Sequence, residues 1–192
     1  MAVRLIILGA PGAGKGTQGS LLAQRLNIPA ISTGDIFRAH AKAQDELGKL
    51  AASYSDRGEL VPDEVTNSMV EDRLAQPDCL NGFLLDGYPR NAGQVEALDA
   101  MLAAHSHKLD CALTLDVDKE TVIARLLERA KIEGRLDDTE DVIRHRMDVY
   151  EQSTAPLIDI YTQRGIIVHI NGVGDIKDIN DALFDAVTRA VK

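Results

Sequence analysis

The sequence predicts an α/β protein built on a doubly wound parallel sheet, and three observations predict it. Short apolar runs at 3–8, 28–31, 83–86, 111–116 and 166–170 alternate with longer segments from one end of the chain to the other. Several of these runs are apolar at successive positions, as strands buried on both faces are. The segments between them carry apolar residues three and four apart, such as Leu21, Leu22 and Leu26, or Val122, Leu126 and Leu127, which is the spacing of an amphipathic helix. Alternation of this kind, with right-handed crossovers, stacks helices on both faces of one sheet.

In chain order, the run at 3–8 leads straight into a glycine-rich turn that opens a helix. The run at 28–31 is followed by a stretch far longer than one crossover helix needs. It reads as helices near 35–43, 46–55 and 62–74, with Thr33-Gly34-Asp35 opening the first and Pro62 suited to the first turn of the third. A second interruption, polar and glycine-containing, is predicted at 130–138, between two helices. Insertions at the carboxyl edge of such a sheet lie where ligands bind, so both stretches are candidate flaps over a substrate. No internal repeat and no low-complexity linker is present.

Composition narrows the class. The 192 residues are 45% hydrophobic and 27% charged, ordinary for a globular protein, and the length favours one domain spanning 1–192. With 21 Lys+Arg against 30 Asp+Glu the net charge is −9, which argues against a nucleic-acid partner or an anionic membrane surface. No apolar run approaches the 18 residues of a membrane span, and the one after Met1 is too short for a signal peptide. Cys79 and Cys111 are far apart and form no Cys-x-x-Cys pair, so a cytoplasmic location is expected.

The sharpest local signal is Gly9-Ala10-Pro11-Gly12-Ala13-Gly14-Lys15-Gly16-Thr17, between an apolar strand and a helix. Glycines allow several backbone N–H groups to point at one anion, the helix N-terminus adds partial positive charge, and Lys15 supplies a full one. Gly16 stands where this motif usually has Ser or Thr, and Thr17 follows one place later. A direct hydroxyl contact to magnesium is therefore not implied. The pattern predicts binding of a nucleoside triphosphate.

Read further, Lys-Gly-Thr-Gln in that loop resembles adenylate kinase and its nucleoside monophosphate kinase relatives. The resemblance continues at Ser32-Thr33-Gly34-Asp35-Ile36-Phe37-Arg38, at Gly82 to Arg90, at Gly134-Arg135-Leu136-Asp137-Asp138 and at Thr154-Ala155-Pro156-Leu157-Ile158. These motifs run in family order over nearly the whole chain. The resemblance implies a P-loop NTPase-type three-layer α/β/α fold with a five-stranded parallel sheet, a helical NMP-binding insertion at 32–61 and a short lid at 128–138. It implies reversible phosphoryl transfer, ATP + AMP = 2 ADP, in purine nucleotide homeostasis and salvage, by a monomer using Mg²⁺ with ATP. The lid is the short form, so no structural zinc is expected.

Carried over position by position, Gly12, Ala13, Gly14, Lys15, Gly16, Thr17, Arg125, Arg129 and Gly174 fall on the ATP side. Thr33, Arg38, Glu59, Leu60, Val61, Gly87, Tyr88, Pro89, Arg90, Gln94, Arg135 and Arg146 fall on the AMP side. Lys15, Arg90, Arg129, Arg135 and Arg146 are the implied catalytic cations. A hydroxyl and an amide at Thr33 and Gln94 suit the adenine edge, and guanidinium forks at Arg38 and Arg90 suit a phosphate. Arg125 and Arg129, four apart, share a helix face. Asp86 ends an apolar strand, where it holds hydrated Mg²⁺ or serves as a turn residue. Leu60 and Val61 read equally as pocket wall or amphipathic loop. Asp137 and Asp138 read equally as partners of lid arginines or as helix-start anions. Tyr88 is expected to contribute only its backbone, and the five histidines are assigned no role.

The nearest alternative is a UMP/CMP kinase, which usually carries Ala at the position of Thr33 and Asn at that of Gln94. A GTP switch lacks its guanine-reading Asn-Lys-x-Asp here, and a scaffold would leave the cations unexplained: 13 Arg and 8 Lys, with Arg clustered from Arg125 to Arg146.

Overall fold

The computed structural model describes residues 2–133 and 139–191. Their elements run β1 (Val3–Leu8), α1 (Lys15–Leu26), β2 (Ala30–Ser32), α2 (Thr33–Ala43), α3 (Glu46–Ser55), α4 (Asp63–Leu74), β3 (Gly82–Asp86) and α5 (Ala92–Ala104). Then follow β4 (Cys111–Asp116), α6 (Lys119–Glu133), α7 (Glu140–Val149), α8 (Leu157–Gln163), β5 (Ile167–Asn171) and α9 (Ile176–Ala190). The strands form one parallel sheet in the order β2-β3-β1-β4-β5. None of the described helices is long and apolar enough to cross a membrane.

Alternate side chains of the central strands feed two cores. Leu5 and Ile7 of β1, Leu84 of β3 and Leu113 of β4 pack with Leu22, Ile179 and Leu183 on the face covered by α1 and α9. Ile6, Leu8, Phe83 and Leu85 pack with Val70, Leu98, Leu157 and Tyr161 on the face covered by α4, α5 and α8. The result is three layers. Each such side chain, fully withdrawn from water, contributes about 1.5–3 kcal/mol.

Register carries the site. Ile7 pairs with Asp86 and with Leu113, and Ser32 also pairs with Asp86. The carboxyl ends of β1, β2 and β3 therefore lie side by side, and the residues that follow them emerge at one edge.

Several boundaries depart from expectation, each for a local reason. Asn27 caps α1 at a φ of 55° and the Ile28 N–H returns to the Ala23 carbonyl. Pro29 has no N–H to give, so β2 starts at Ala30 rather than Ile28. The Ser32 hydroxyl accepts from the Asp35 N–H at 3.2 Å, which starts α2 at Thr33 instead of Asp35. Pro62 stands just before α4 with extended geometry, not inside its first turn. The interruption expected from Ala130 is corrected as well: α6 continues to Glu133. Its Leu126 and Ala130 share one face, and nothing before Gly134 breaks the helix. The rest of that stretch, 134–138, with Arg135, Asp137 and Asp138, lies outside the described residues.

Candidate active site

The loop after β1 is shaped by what packs against it. Gly12 has a φ of 85°, and a Cβ there would meet the Val122 carbonyl at 2.7 Å and Leu126 Cγ at 2.8 Å. Only glycine fits under α6 at this point. Gly14 caps α1, and a Cβ on it would meet nothing within 4 Å, so the space above the helix N-terminus is open. Lys15 is the first residue of α1. Its amine turns back onto the Gly9 and Ala10 carbonyls at 2.8 and 2.9 Å. Ala13 is buried, while Gly16 and Thr17 are exposed at the start of the helix.

On one side of Lys15 lies a cavity of about 380 Å³ lined by Thr33, Arg38, Arg90, Gln94 and Arg146 among others. The Thr33 hydroxyl is buried and donates to the Gly87 carbonyl at 3.0 Å, and Arg90 Nε donates to the same carbonyl at 2.8 Å. Arg38 folds over the first turn of its own helix and pairs with Asp35. Gln94 is 2% exposed; its Oε1 accepts from the Arg90 N–H at 2.8 Å and its Nε2 donates to Asp63 Oδ1 at 2.7 Å. Glu59 pairs with Arg57 at 2.8 Å, and Glu59, Leu60 and Val61 all line the same cavity. Gly87 and Pro89 line it too.

The cations perturb one another. Burial lowers the Lys15 pKa to about 8; Asp86 pulls it back up, while Arg90, Arg146 and Arg129 push it further down. Burial also lowers Arg90, against Asp86 and with Arg38. An anion beside these groups would favour their charged forms. Thus Lys15, Arg38, Arg90, Arg129 and Arg146 share one electrostatic environment; Arg135 falls outside the described residues.

The chain matches the family profile described as adenylate kinase over residues 7–166. It is 54% identical over 186 residues to an adenylate kinase of Kocuria rhizophila, covering 97% of this chain and 99% of that protein. It is 53% identical to one from Nocardioides sp., over 96% of this chain and 97% of the relative. To one from Thermobifida fusca it is 54% identical, over 96% of this chain and 98% of the relative. The chain belongs to the adenylate kinase family. Family membership makes it a phosphotransferase of the nucleoside monophosphate kinase type, and the UMP/CMP kinase alternative is not favoured.

Arg125, Arg129 and Gly174 do not line the cavity just described. Arg125 bridges two loops, donating to the Ala13 carbonyl at 3.4 Å and the Gly172 carbonyl at 3.2 Å. Gly174, two residues further, is exposed with a φ of 141° and empty space around it. Arg129 lies one turn along α6 from Arg125. Among the described residues no group of three or more His, Cys, Asp and Glu side chains comes together to hold a metal. Magnesium with a nucleotide needs less, since one or two carboxylates complete a shell of water and phosphate oxygens. Asp86 fits that requirement: its Oδ2 would lie 3.6 Å from a Cβ on Gly16, at the mouth of the phosphate loop.

Tyr88 is a core residue, 1% exposed, whose hydroxyl donates to Asn67 Oδ1 at 2.7 Å. Its ring packs into the core under α4, α5 and α8 rather than lining the cavity. Three residues escaped sequence reasoning. Phe37 supplies an apolar wall, Thr154 Oγ1 donates to the Arg90 carbonyl at 2.8 Å, and Asp63 holds Gln94. Phe37 and Thr154 sit inside motifs that drew attention to their neighbours. Asp63 had no such signal.

Proposed function

We propose that the chain catalyses reversible transfer of the ATP γ-phosphoryl group to AMP, giving two ADP. The supporting observation is that a chain of net charge −9 gathers Lys15, Arg38, Arg90 and Arg146 around one cavity. Thr33 and Gln94 stand in the same cavity as polar groups able to read a base. Two polyanions repel each other, and these cations offset that repulsion where they meet.

The acceptor is itself a phosphate, already ionised at neutral pH, so no general base is required. Arg38 and Arg90 grip the AMP phosphate, Lys15 and the phosphate-loop N–H groups hold the ATP β- and γ-phosphates, and Arg129, Arg135 and Arg146 neutralise the transferring group. Arg125 and the backbone at Gly174 flank the ATP adenine. Asp86 would hold hydrated Mg²⁺ brought with ATP, and the ion would supply charge neutralisation on the phosphates. Glu59, Leu60, Val61 and the Gly87–Arg90 backbone wall the AMP. The segments 32–61 and 128–138 close over the two substrates and exclude water, the competing acceptor. The protein works as a monomer in a reducing cytoplasm, in keeping with two buried free cysteines.

The test is ADP formation from MgATP with AMP, UMP, CMP, GMP or no acceptor. AMP is expected to be the best acceptor. Preference for UMP or CMP overturns the assignment of the base, and slow hydrolysis without an acceptor preference overturns the reaction class.

A further inference from the structure

We propose that Asp63 is a positioning residue that sets which purine the acceptor cavity admits, by fixing the orientation of the Gln94 amide. The proposal rests on the reading of Gln94 as the residue that meets the acceptor base. Among the described residues the Gln94 side-chain amide has two partners. The Arg90 N–H, 2.8 Å from Oε1, can only donate, and the Asp63 carboxylate, 2.7 Å from Nε2, accepts when ionised. Together they allow one orientation of the amide. Rotated by half a turn, Nε2 would face another N–H and Oε1 would face a carboxylate.

Asp63 is itself held. Both of its oxygens accept from Asn91 Nδ2, at 2.9 and 3.1 Å, and Asn91 Oδ1 caps α5 by accepting from the Gln94 N–H at 2.9 Å. The first turn of α4 and the first turn of α5 are thereby tied through one carboxylate. With this lock in place, Gln94 retains one N–H and one lone pair for a ligand, in a fixed left-to-right order.

Order is what separates the purines. Adenine presents an N–H donor at position 6 beside an acceptor at N1. Hypoxanthine presents the reverse, an acceptor at position 6 beside an N–H donor. A locked amide matches one and opposes the other; an amide free to rotate matches either. IMP differs from AMP only at this edge, so it isolates the effect from size and from the phosphate contacts.

The experiment measures kcat/KM with MgATP for AMP and for IMP in the wild type, Asp63→Asn and Gln94→Leu. A carboxamide in place of the Asp63 carboxylate can donate to Oε1 or accept from Nε2, so one of the two constraints on the amide is lost and the Arg90 N–H alone still favours the native orientation. The AMP:IMP ratio is expected to fall about tenfold or more in Asp63→Asn, mainly through KM, the scale of a lost buried polar match. A merely structural role would lower both substrates together and leave the ratio unchanged. An unchanged ratio in Asp63→Asn, with a collapsed ratio in Gln94→Leu, overturns the proposal while the base reading stands. An unchanged ratio in both overturns the base reading and the proposal with it. A readout independent of folding of the variants is solvent exchange of the Gln94 side-chain NH₂ in the wild type by NMR. Protection well beyond that of exposed glutamines is expected, and exchange at their rate overturns the lock.

Discussion

At Lys15 an amine half-buried against two carbonyls, with three guanidinium groups in range, titrates near pH 8 instead of 10.5. Its folded pKa lies below its unfolded value, so between the two the unfolded chain binds more protons. This group therefore makes the free protein more stable as pH rises from 8 towards 10.5. Bound polyphosphate reverses the preference, because its oxygens favour the charged amine. Binding above pH 8 must then draw a proton from solvent, and affinity falls as pH rises through 8. Calorimetry of ATP binding at about pH 8.5, in two buffers of different ionisation heat, should show net proton uptake; equal heats after correction for binding alone would refute the assignment of Lys15 to the phosphates. The residues of this cavity were unequally legible beforehand. Lys15 could be picked out because a phosphate loop after a strand demands a cation there, and Arg38, Arg90 and Arg146 because their positions resemble those of the adenylate kinase family. Asp63 could not. A carboxylate in the first turn of a helix is explained by the helix dipole alone, and its contact with Gln94 exists only because α4 packs beside α5.

Two helices of the insertion show how an element can be constrained by a single missing atom. Where α2 and α3 cross, a Cβ on Gly48 would lie 2.1 Å from the His40 carbonyl oxygen and 2.4 Å from the Ala41 nitrogen. Both are backbone atoms and cannot swing aside. The turn between the helices is held further by Asp45, which accepts from the Gly48 N–H at 2.8 Å and pairs with His40 Nδ1 at 2.6 Å. Gly48→Ala should force the helices apart at a cost of about 1–3 kcal/mol, the usual range for overpacking. In a chain of this size that lowers Tm by roughly 2–10 °C. Because α2 carries Arg38 and the loop after α3 carries Glu59 and Leu60, KM for AMP should rise while the affinity for ATP holds. A parallel loss of both would show that the insertion does not act as a separate flap. The elements themselves were largely legible: β1, β4 and α3 fall where apolar spacing and caps put them. The misses lie at junctions. The start of β2 depends on Pro29, which has no N–H to give, and the length of α6 on the absence of any helix breaker before Gly134; neither changes hydrophobic periodicity.

For the molecule as a whole, an acidic surface surrounds a basic interior edge. The net charge is −9, while the register of β1, β2 and β3 delivers Lys15, Arg38 and Arg90 to one edge of the sheet. Burial first, and neighbouring guanidinium groups after it, depress the pKa values of Lys15 and Arg90 against the pull of Asp86, so holding these cations in the fold carries a cost in stability. A ligand that matches the cluster must relieve it. Inorganic tripolyphosphate carries the charge of the ATP tail without the base, so it separates electrostatic from base recognition. At about a hundredfold excess over Kd, mass action gives about 2.7 kcal/mol, which raises Tm by roughly 5–10 °C in a protein of this length. Sodium chloride at the same ionic strength screens the cluster without bridging it and should give a far smaller shift. In Lys15→Met the tripolyphosphate increment should shrink, because a bridging cation has gone, whereas the chloride response should barely change. If tripolyphosphate stabilises no better than chloride, the cations do not act as one site, and the cavity owes its charge to chance juxtaposition rather than to the binding of two nucleotides.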